Sequence, residues 1–275
     1  MTAPRGFVVS AAGTYDEPGN ARYVEAATRL LNRLANHGRV ASLVMAEATK
    51  FYPHRLVMVV PDTAGCSTWK RNAHARPFRV GSTDIGAVIT YTPKCWSFEG
   101  VYDARAVLLH EIVHAARYIL GVWAQSAAIS NYPNAEEFHA VTLANVYRSE
   151  QNLSLRLGYS FGDPAFIPLY NAAGSTAPAT SGSAAAASGT ASPQGPFTVR
   201  SGGTGNVTPF NPETEIVPRP TIAAMRAFSG HFARHHPLVA TSLRARPIRP
   251  LLEDVAGLPW DDVPFNPFRA VIHGT

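Results

Sequence analysis

The sequence has few of the features that mark several large protein classes. Only 2 of its 275 residues are cysteine. Neither Cys66 nor Cys95 lies in a C-x-x-C pair or in another spacing typical of metal ligands, so we expect no cysteine zinc site. The two thiols can form one disulfide in an oxidising compartment or remain separate, and the sequence leaves both alternatives open. No run of about 18 apolar residues occurs, so we expect no transmembrane helix.

Charged residues are also scarce. They make up 16% of the chain against 46% hydrophobic residues, a balance typical of a globular protein rather than a disordered one. The formal net charge is +5, but the arginines are scattered along the chain, so we expect a solvated surface and no nucleic-acid partner. Residues 1–10 contain one arginine and only a very short apolar stretch. A secretory h-region needs about 7–15 apolar residues, so we expect no signal peptide.

Composition divides the chain into three parts. Residues 172–205 consist mainly of alanine, serine, glycine, threonine and proline, with Arg200 as the single charged residue, and such a segment cannot bury a core. We predict a main domain over 1–171, a flexible low-complexity insertion or linker over 172–205, and a C-terminal extension over 206–275. The extension is expected to pack on the main domain through Trp260, Phe265, Phe268 and Ile272.

Hydrophobic periodicity predicts a protein of the α+β class. Apolar residues recur at helical spacing in five segments and form β-branched runs bounded by turn residues in two others. Asp103 is placed to cap one helix and Gly121 to end it. The predicted helices are 21–35, 40–48, 103–120, 135–150 and 221–235, and the predicted strands are 55–60 and 87–91.

The segment His110-Glu111-Ile112-Val113-His114 has the clearest chemical meaning. Two histidines four residues apart on a helix project from the same face, so both imidazoles can reach one metal ion. A glutamate next to the first histidine can reach water bound to that ion. The motif lies within a convincingly helical window, residues 104–120, although the same residues can also serve as ordinary helix histidines.

A third metal ligand has to come from elsewhere, because catalytic zinc sites usually have three protein ligands and an open position. Glu136 and Glu137 offer adjacent carboxylates at the start of the next predicted helix. Asn134 and Glu137 also fit a capping box, in which an N-cap asparagine and the glutamate three residues later exchange hydrogen bonds. One glutamate side chain can hardly do both, so on these grounds both glutamates remain candidates.

The segments HEIVHAARYIL and NAEEFHAVTLANVYRSE together resemble the gluzincin-type zinc-peptidase toxin domains of bacterial effectors, including those carried on type VI secretion spike proteins. The similarity spans about residues 23–150. It implies a zincin-like catalytic domain over 1–171, with helices packed on a small mixed sheet, an active-site helix and a glutamate-bearing ligand helix. The implied activity is that of a zinc-dependent metalloendopeptidase with a protein or peptide substrate.

The resemblance also implies roles for single residues. It makes His110 and His114 zinc ligands and Glu111 the general base. In the related proteins the ligand glutamate is followed by two residues and an alanine. Glu137 has Ala140 three residues after it, so the resemblance makes Glu137 the third ligand, with Glu136 in reserve. Tyr132, just before the ligand helix, is the candidate donor to the oxyanion. By analogy with related peptidases, strand 87–91 is expected to be the sheet edge on which an extended substrate adds.

The implied biology is that of a secreted toxin. We expect delivery through a dedicated secretion system into the periplasm or cytoplasm of a target cell, with a secretion spike and an immunity protein as partners. One alternative is an intracellular processing peptidase, and another is a non-enzymatic binding module that holds a structural zinc, for which His139 would be the fourth donor. His231, His235 and His236 also show i,i+4 spacing but lack an adjacent glutamate, which favours a surface or accessory role.

Overall fold

The computed structural model describes residues 1–11, 20–62, 73–80, 83–96, 103–124, 126, 128–129, 132–153, 155 and 222–275. The predicted linker and Cys66 lie outside these residues. Within them the fold is a mixed α+β structure of eight α-helices, one short 3-10 helix at Pro93–Trp96 and four strands. The helices are α1 Asn20–His37, α2 Arg39–Ala48, α3 Ala104–Ile119, α4 Ala135–Glu150, α5 Ile222–His235, α6 Pro237–Ser242, α7 Arg249–Gly257 and α8 Pro267–His273; the strands are β1 Phe7–Val9, β2 Leu56–Val60, β3 His74–Val80 and β4 Thr83–Thr90.

The α+β prediction is confirmed, and all five predicted helices are present with ends within two residues of those expected. The sequence did not indicate β1, with three residues, or the helices α6, α7 and α8, with six to nine residues, because these segments are too short to show a period. It did not indicate β3 because this strand has no β-branched run and contains Pro77. None of the described helices combines the length and the apolar character needed to cross a bilayer.

The sheet has the strand order β1-β2-β4-β3. β1 and β2 are parallel, β2 and β4 are parallel, and β3 runs antiparallel to β4. The predicted strand 87–91 covers the second half of β4 and extends one residue beyond its end at Thr90. Its expected role as the substrate-binding edge is wrong. Its hydrogen-bonding groups are already paired with β2 on one side and β3 on the other, so no extended peptide can add there.

Helix α3, which contains the His-Glu-x-x-His motif, is buried on nearly every side. Leu108, Leu109 and Ile112 are fully buried, and the helix contacts α2, α4, β3 and β4. Its ends follow the sequence signals. The Asp103 carboxylate accepts hydrogen bonds from two backbone N–H groups of the first turn. Gly121 follows the last turn with a φ of 72°, a left-handed conformation that favours glycine. The motif is therefore held on a helix fixed by packing and caps.

The C-terminal helices pack against the rest of the core, as the aromatic residues of the tail predict. Trp260, Phe265 and Phe268 are buried, and the backbone N–H of Phe265 donates to the Ser149 hydroxyl on α4 at 3.2 Å. The prediction is wrong for Ile272, which is 43% exposed on the last helix. Cys95 is disulfide-bonded, and Cys66, the other half of the predicted pair, lies outside the described residues.

The Asp103 carboxylate stabilises the start of α3 in its ionised form. Burial opposes the charged form of this carboxylate, but its hydrogen bonds with Arg105 and Ala106 outweigh that effect and lower its pKa below 3.8. The Asp103→Ala variant should lose about 1 kcal/mol of unfolding free energy at neutral pH. Because the folded pKa is lowered, this stabilisation is present above the unfolded pKa and is lost as pH falls through the folded one.

Urea unfolding of the wild type and the Asp103→Ala variant at pH 7, and again below about pH 4, measures this difference. We expect the gap between the two proteins to narrow in acid. An equal gap at both pH values would contradict a contribution from the ionised carboxylate and would leave only a neutral hydrogen bond or packing.

Candidate metal centre

Helices α3 and α4 bring three side chains together at one point. His110 and His114 lie one turn apart on α3, and Glu137 lies in the first turn of α4. The Nε2 atoms of the two imidazoles are 3.1 Å apart. Glu137 Oε2 lies 3.1 Å from His110 Nε2, and Glu137 Oε1 lies 3.5 Å from His114 Nε2. These residues form a donor group that could hold a metal ion.

The separations match those between the ligands of a tetrahedral ion. Zinc bonds of about 2.0–2.1 Å to nitrogen and oxygen place neighbouring donors about 3.3 Å apart. The three observed separations lie between 3.1 and 3.5 Å. Both imidazoles present Nε2, and one carboxylate completes the set, so the residues fit a cation that keeps its fourth position open.

The backbone of Glu137 takes part in the helix cap, and its side chain lies against the histidines. The Asn134 side chain accepts a hydrogen bond from the backbone N–H of Glu137 at 2.9 Å. This is one half of the predicted capping box, and it uses only the backbone of Glu137. The carboxylate lies instead against the two histidines. Asn134 therefore starts α4 at the position that directs Glu137 toward α3.

Glu136 occupies a different position from Glu137 although the two are adjacent. Arg117 Nε donates to both Glu136 oxygens, at 2.8 and 2.9 Å, and the backbone N–H of Ala124 donates to Oε2 at 3.2 Å. The pair is buried, with side-chain exposures of 5% for Arg117 and 2% for Glu136. Glu136 Oε1 is also 3.3 Å from His114 Nδ1, the ring nitrogen on the side away from the donor group.

The charges of the site favour protonated histidine and ionised carboxylate while no metal is bound. Burial opposes the charged form of His114, but hydrogen bonds to Glu136 and Glu137 and the charge of Glu111 outweigh it and raise its pKa to about 9. Burial likewise opposes the charged form of Glu137, but hydrogen bonds to His110 and His114 lower its pKa. A divalent cation can replace the proton shared within this group.

Glu111 is close to the centre without belonging to the donor group. It is only 5% exposed, and its charge acts on His114. Glu111 is not a member of the three-residue donor group found among the described residues. Glu111 is therefore a buried carboxylate that acts electrostatically on one member of the donor group without belonging to the group.

The other candidate residues, Tyr132 and His139, are not members of the donor group. The Tyr132 ring is 3% exposed and packs edge-on against Phe138 at 5.1 Å and His236 at 6.2 Å. His139 is buried rather than on the surface, with Nδ1 3.3 Å from the Ser242 hydroxyl. Burial and the charge of Arg117 lower its pKa well below 6.5, so His139 is a neutral core residue at neutral pH.

The three histidines at the end of α5 and just after it differ in burial: His231 is half-buried, His235 is exposed and His236 is buried. The rings of His231 and His235 are 4.0 Å apart, whereas His236 is buried with its ring 4.5 Å from that of Phe232. Among the described residues these histidines do not form a three-donor metal group. The accessory or surface interpretation therefore suits His231 and His235, and His236 belongs to the aromatic core.

Comparisons with known proteins provide no family for the chain. No protein-family model, curated protein or solved structure matches it. The resemblance to effector peptidases consequently rests on the two sequence segments that suggested it. The convergence of His110, His114 and Glu137 is an independent, geometric observation, since residues on two helices separated by a long connection meet with metal-like spacing.

Proposed function

We propose that this protein is a zinc-dependent metalloendopeptidase with a zincin-like catalytic domain. The observation that supports the proposal most strongly is the meeting of two Nε2 atoms and one carboxylate at tetrahedral spacing, beside a buried glutamate outside the donor group. Two imidazoles, one carboxylate and an open position are the donor set of hydrolytic zinc sites. Calcium and magnesium prefer oxygen ligands, so the two nitrogen donors favour zinc.

The proposed chemistry divides between the ion and the chain. His110, His114 and Glu137 would hold the zinc ion. When bound, zinc would supply a water whose pKa is lowered to about 7 and would polarise a substrate carbonyl. Glu111 accepts the proton of the attacking water and passes it to the leaving nitrogen of the peptide bond. Tyr132 remains our candidate donor to the oxyanion, which would require its hydroxyl to reach the substrate from its present packed position.

Metal removal and restoration test this function. Purified protein treated with a chelator and then dialysed should stop cleaving a mixed peptide library, and stoichiometric Zn²⁺ should restore cleavage. Magnesium should not restore it, because the nitrogen donors bind Mg²⁺ weakly. Cleavage that persists after elemental analysis shows the metal to be gone would overturn the proposal.

We further propose that the enzyme is a secreted bacterial effector toxin, a role supported by the resemblance of the two motif segments. Wild-type protein produced in the cytoplasm or directed to the periplasm of a bacterium should arrest growth, because uncontrolled peptide hydrolysis damages the host. The Glu111→Gln variant should be harmless at the same expression level. If growth is unaffected in both compartments while the purified enzyme cleaves peptides, the intracellular processing peptidase becomes the better account.

A purely structural zinc is less well supported. A closed structural site needs four protein ligands, and the donor group found among the described residues has three. His139, the fourth donor considered from the sequence, is buried beside Phe138 and Ser242 and is not in that group. A site of three donors suits catalysis better than a structural role.

A further inference from the structure

We infer that Glu136 is a positioning residue that orients His114 for metal binding, and not a spare metal ligand; this inference rests on the metal centre of the proposed function. A neutral imidazole has one N–H and one lone pair. Glu136 Oε1 faces His114 Nδ1 at 3.3 Å. An Nδ1–H that donates to this carboxylate leaves the lone pair on Nε2, the atom that faces His110 and Glu137. The contact therefore selects the tautomer that can bind the ion.

Glu136 is itself held in place by three hydrogen bonds from Arg117 and Ala124. Arg117, one turn after His114 on α3, donates from Nε to both carboxylate oxygens. Arg117 Nη2 donates to the carbonyl of Val122 at 2.9 Å, and the N–H of Ala124 donates to Glu136. The Arg117–Glu136 pair thus connects the end of α3, the segment after it and the start of α4. The orientation of His114 depends on all three segments.

The same contacts explain why Glu136 does not exchange roles with Glu137. Turning its carboxylate toward the ion would break the hydrogen bonds from Arg117 and Ala124. It would also leave the Arg117 guanidinium, which is 5% exposed, without its counter-charge. An uncompensated buried charge is strongly unfavourable. Glu137 has no such ion pair with arginine among the described residues and lies directly against both Nε2 atoms.

The inference is tested by measuring Zn²⁺ affinity in the Glu136→Gln variant by competition with a chromophoric chelator. Loss of the carboxylate that holds the imidazole should weaken binding about 10- to 100-fold, while saturation still gives one ion per chain. The absorption spectrum of the Co²⁺-loaded variant should keep the intensity of a four-coordinate site, because no direct ligand is lost. The ¹⁵N shifts of His114 in the zinc-loaded protein should show a weaker Nδ1–H hydrogen bond.

Glu150→Gln is the matched control. Glu150 is a structural carboxylate at the other end of α4, where it accepts hydrogen bonds from the N–H groups of Arg39 and Val40 at 2.6 and 3.3 Å. This variant should lose stability and keep wild-type zinc affinity and His114 shifts. If Glu136→Gln does not fold, the double variant Arg117→Met/Glu136→Leu removes both buried charges together. It should fold and show the same loss of affinity.

The outcomes separate the possible failures. Wild-type zinc affinity in a folded Glu136 variant overturns the positioning role and leaves the metal centre intact. Loss of a ligand from the Co²⁺ spectrum of Glu136→Gln also overturns it, because Glu136 would then bind the ion directly. A wild-type protein that binds no Zn²⁺ overturns the proposed metal centre itself. Weaker but saturable binding, with an unchanged Co²⁺ spectrum, supports the inference.

Discussion

The Glu111→Gln variant should retain one zinc per chain and lose peptide cleavage by about 10²- to 10⁴-fold, the usual contribution of a general base. Glu111 is buried beside the donor group and is not part of it. Glutamine preserves the size of the side chain and cannot accept the proton of the attacking water. The loss should appear in kcat, because the substitution removes a proton acceptor and leaves the metal ligands in place.

Glu150→Gln serves as the control here too. Glu150 lies at the end of α4, where it contacts Arg39 and Val40 and not the metal-binding residues. It should cleave peptides like the wild type at a temperature where both proteins are folded. Undiminished proteolysis by zinc-loaded Glu111→Gln protein would exclude Glu111 as the base. Loss of zinc from that variant would instead indicate that Glu111 takes part in holding the ion.

The second large effect is expected at the third ligand. In Glu137→Ala, zinc content after dialysis should fall well below one per chain. Zinc affinity should fall by more than about 100-fold, the largest loss usually seen for a residue that contacts a metal ligand but not the metal. The carboxylate of Glu137 is the one that faces both Nε2 atoms. Glu136→Ala should still reach one zinc per chain when zinc is in excess, because its contact is with Nδ1 of His114.

Zinc stoichiometry by elemental analysis, at matched protein and free zinc concentrations, separates these two variants. A reversed pattern, with zinc lost from Glu136→Ala and kept by Glu137→Ala, would exchange the roles of the two glutamates. Full zinc in both variants would show that α4 does not supply the third ligand and that the ligand-helix assignment is wrong.

Local signals in the sequence were sufficient to predict the frame of this site. Asp103 caps the start of α3, Gly121 follows its end, and Asn134 caps the start of α4. Each of these residues acts on the backbone within a few residues of itself. Spacing within one helix likewise places His110 and His114 on one face. These features need no knowledge of the tertiary fold, and the structure has them where the sequence indicates.

The features that the sequence did not indicate depend on contacts between distant segments. The pairing of Arg117 with Glu136 joins two helices, and no local pattern marks Arg117 as a partner. The assignment of strand 87–91 to the sheet edge failed for the same reason, because β3 covers it by an antiparallel pairing that periodicity cannot predict. The choice between Glu136 and Glu137 also required the tertiary structure, since both side chains belong to the first turn of α4.

The most direct test of the central claim is elemental analysis of the purified wild type beside His110→Ala, with a peptide-cleavage assay on the same samples. His110 is a member of the three-residue donor group, and alanine removes its imidazole without adding a new donor. We predict about one zinc per wild-type chain, a large loss of zinc from the variant, and cleavage that follows the zinc content. A wild type that takes up no zinc even when supplied with it would contradict the account.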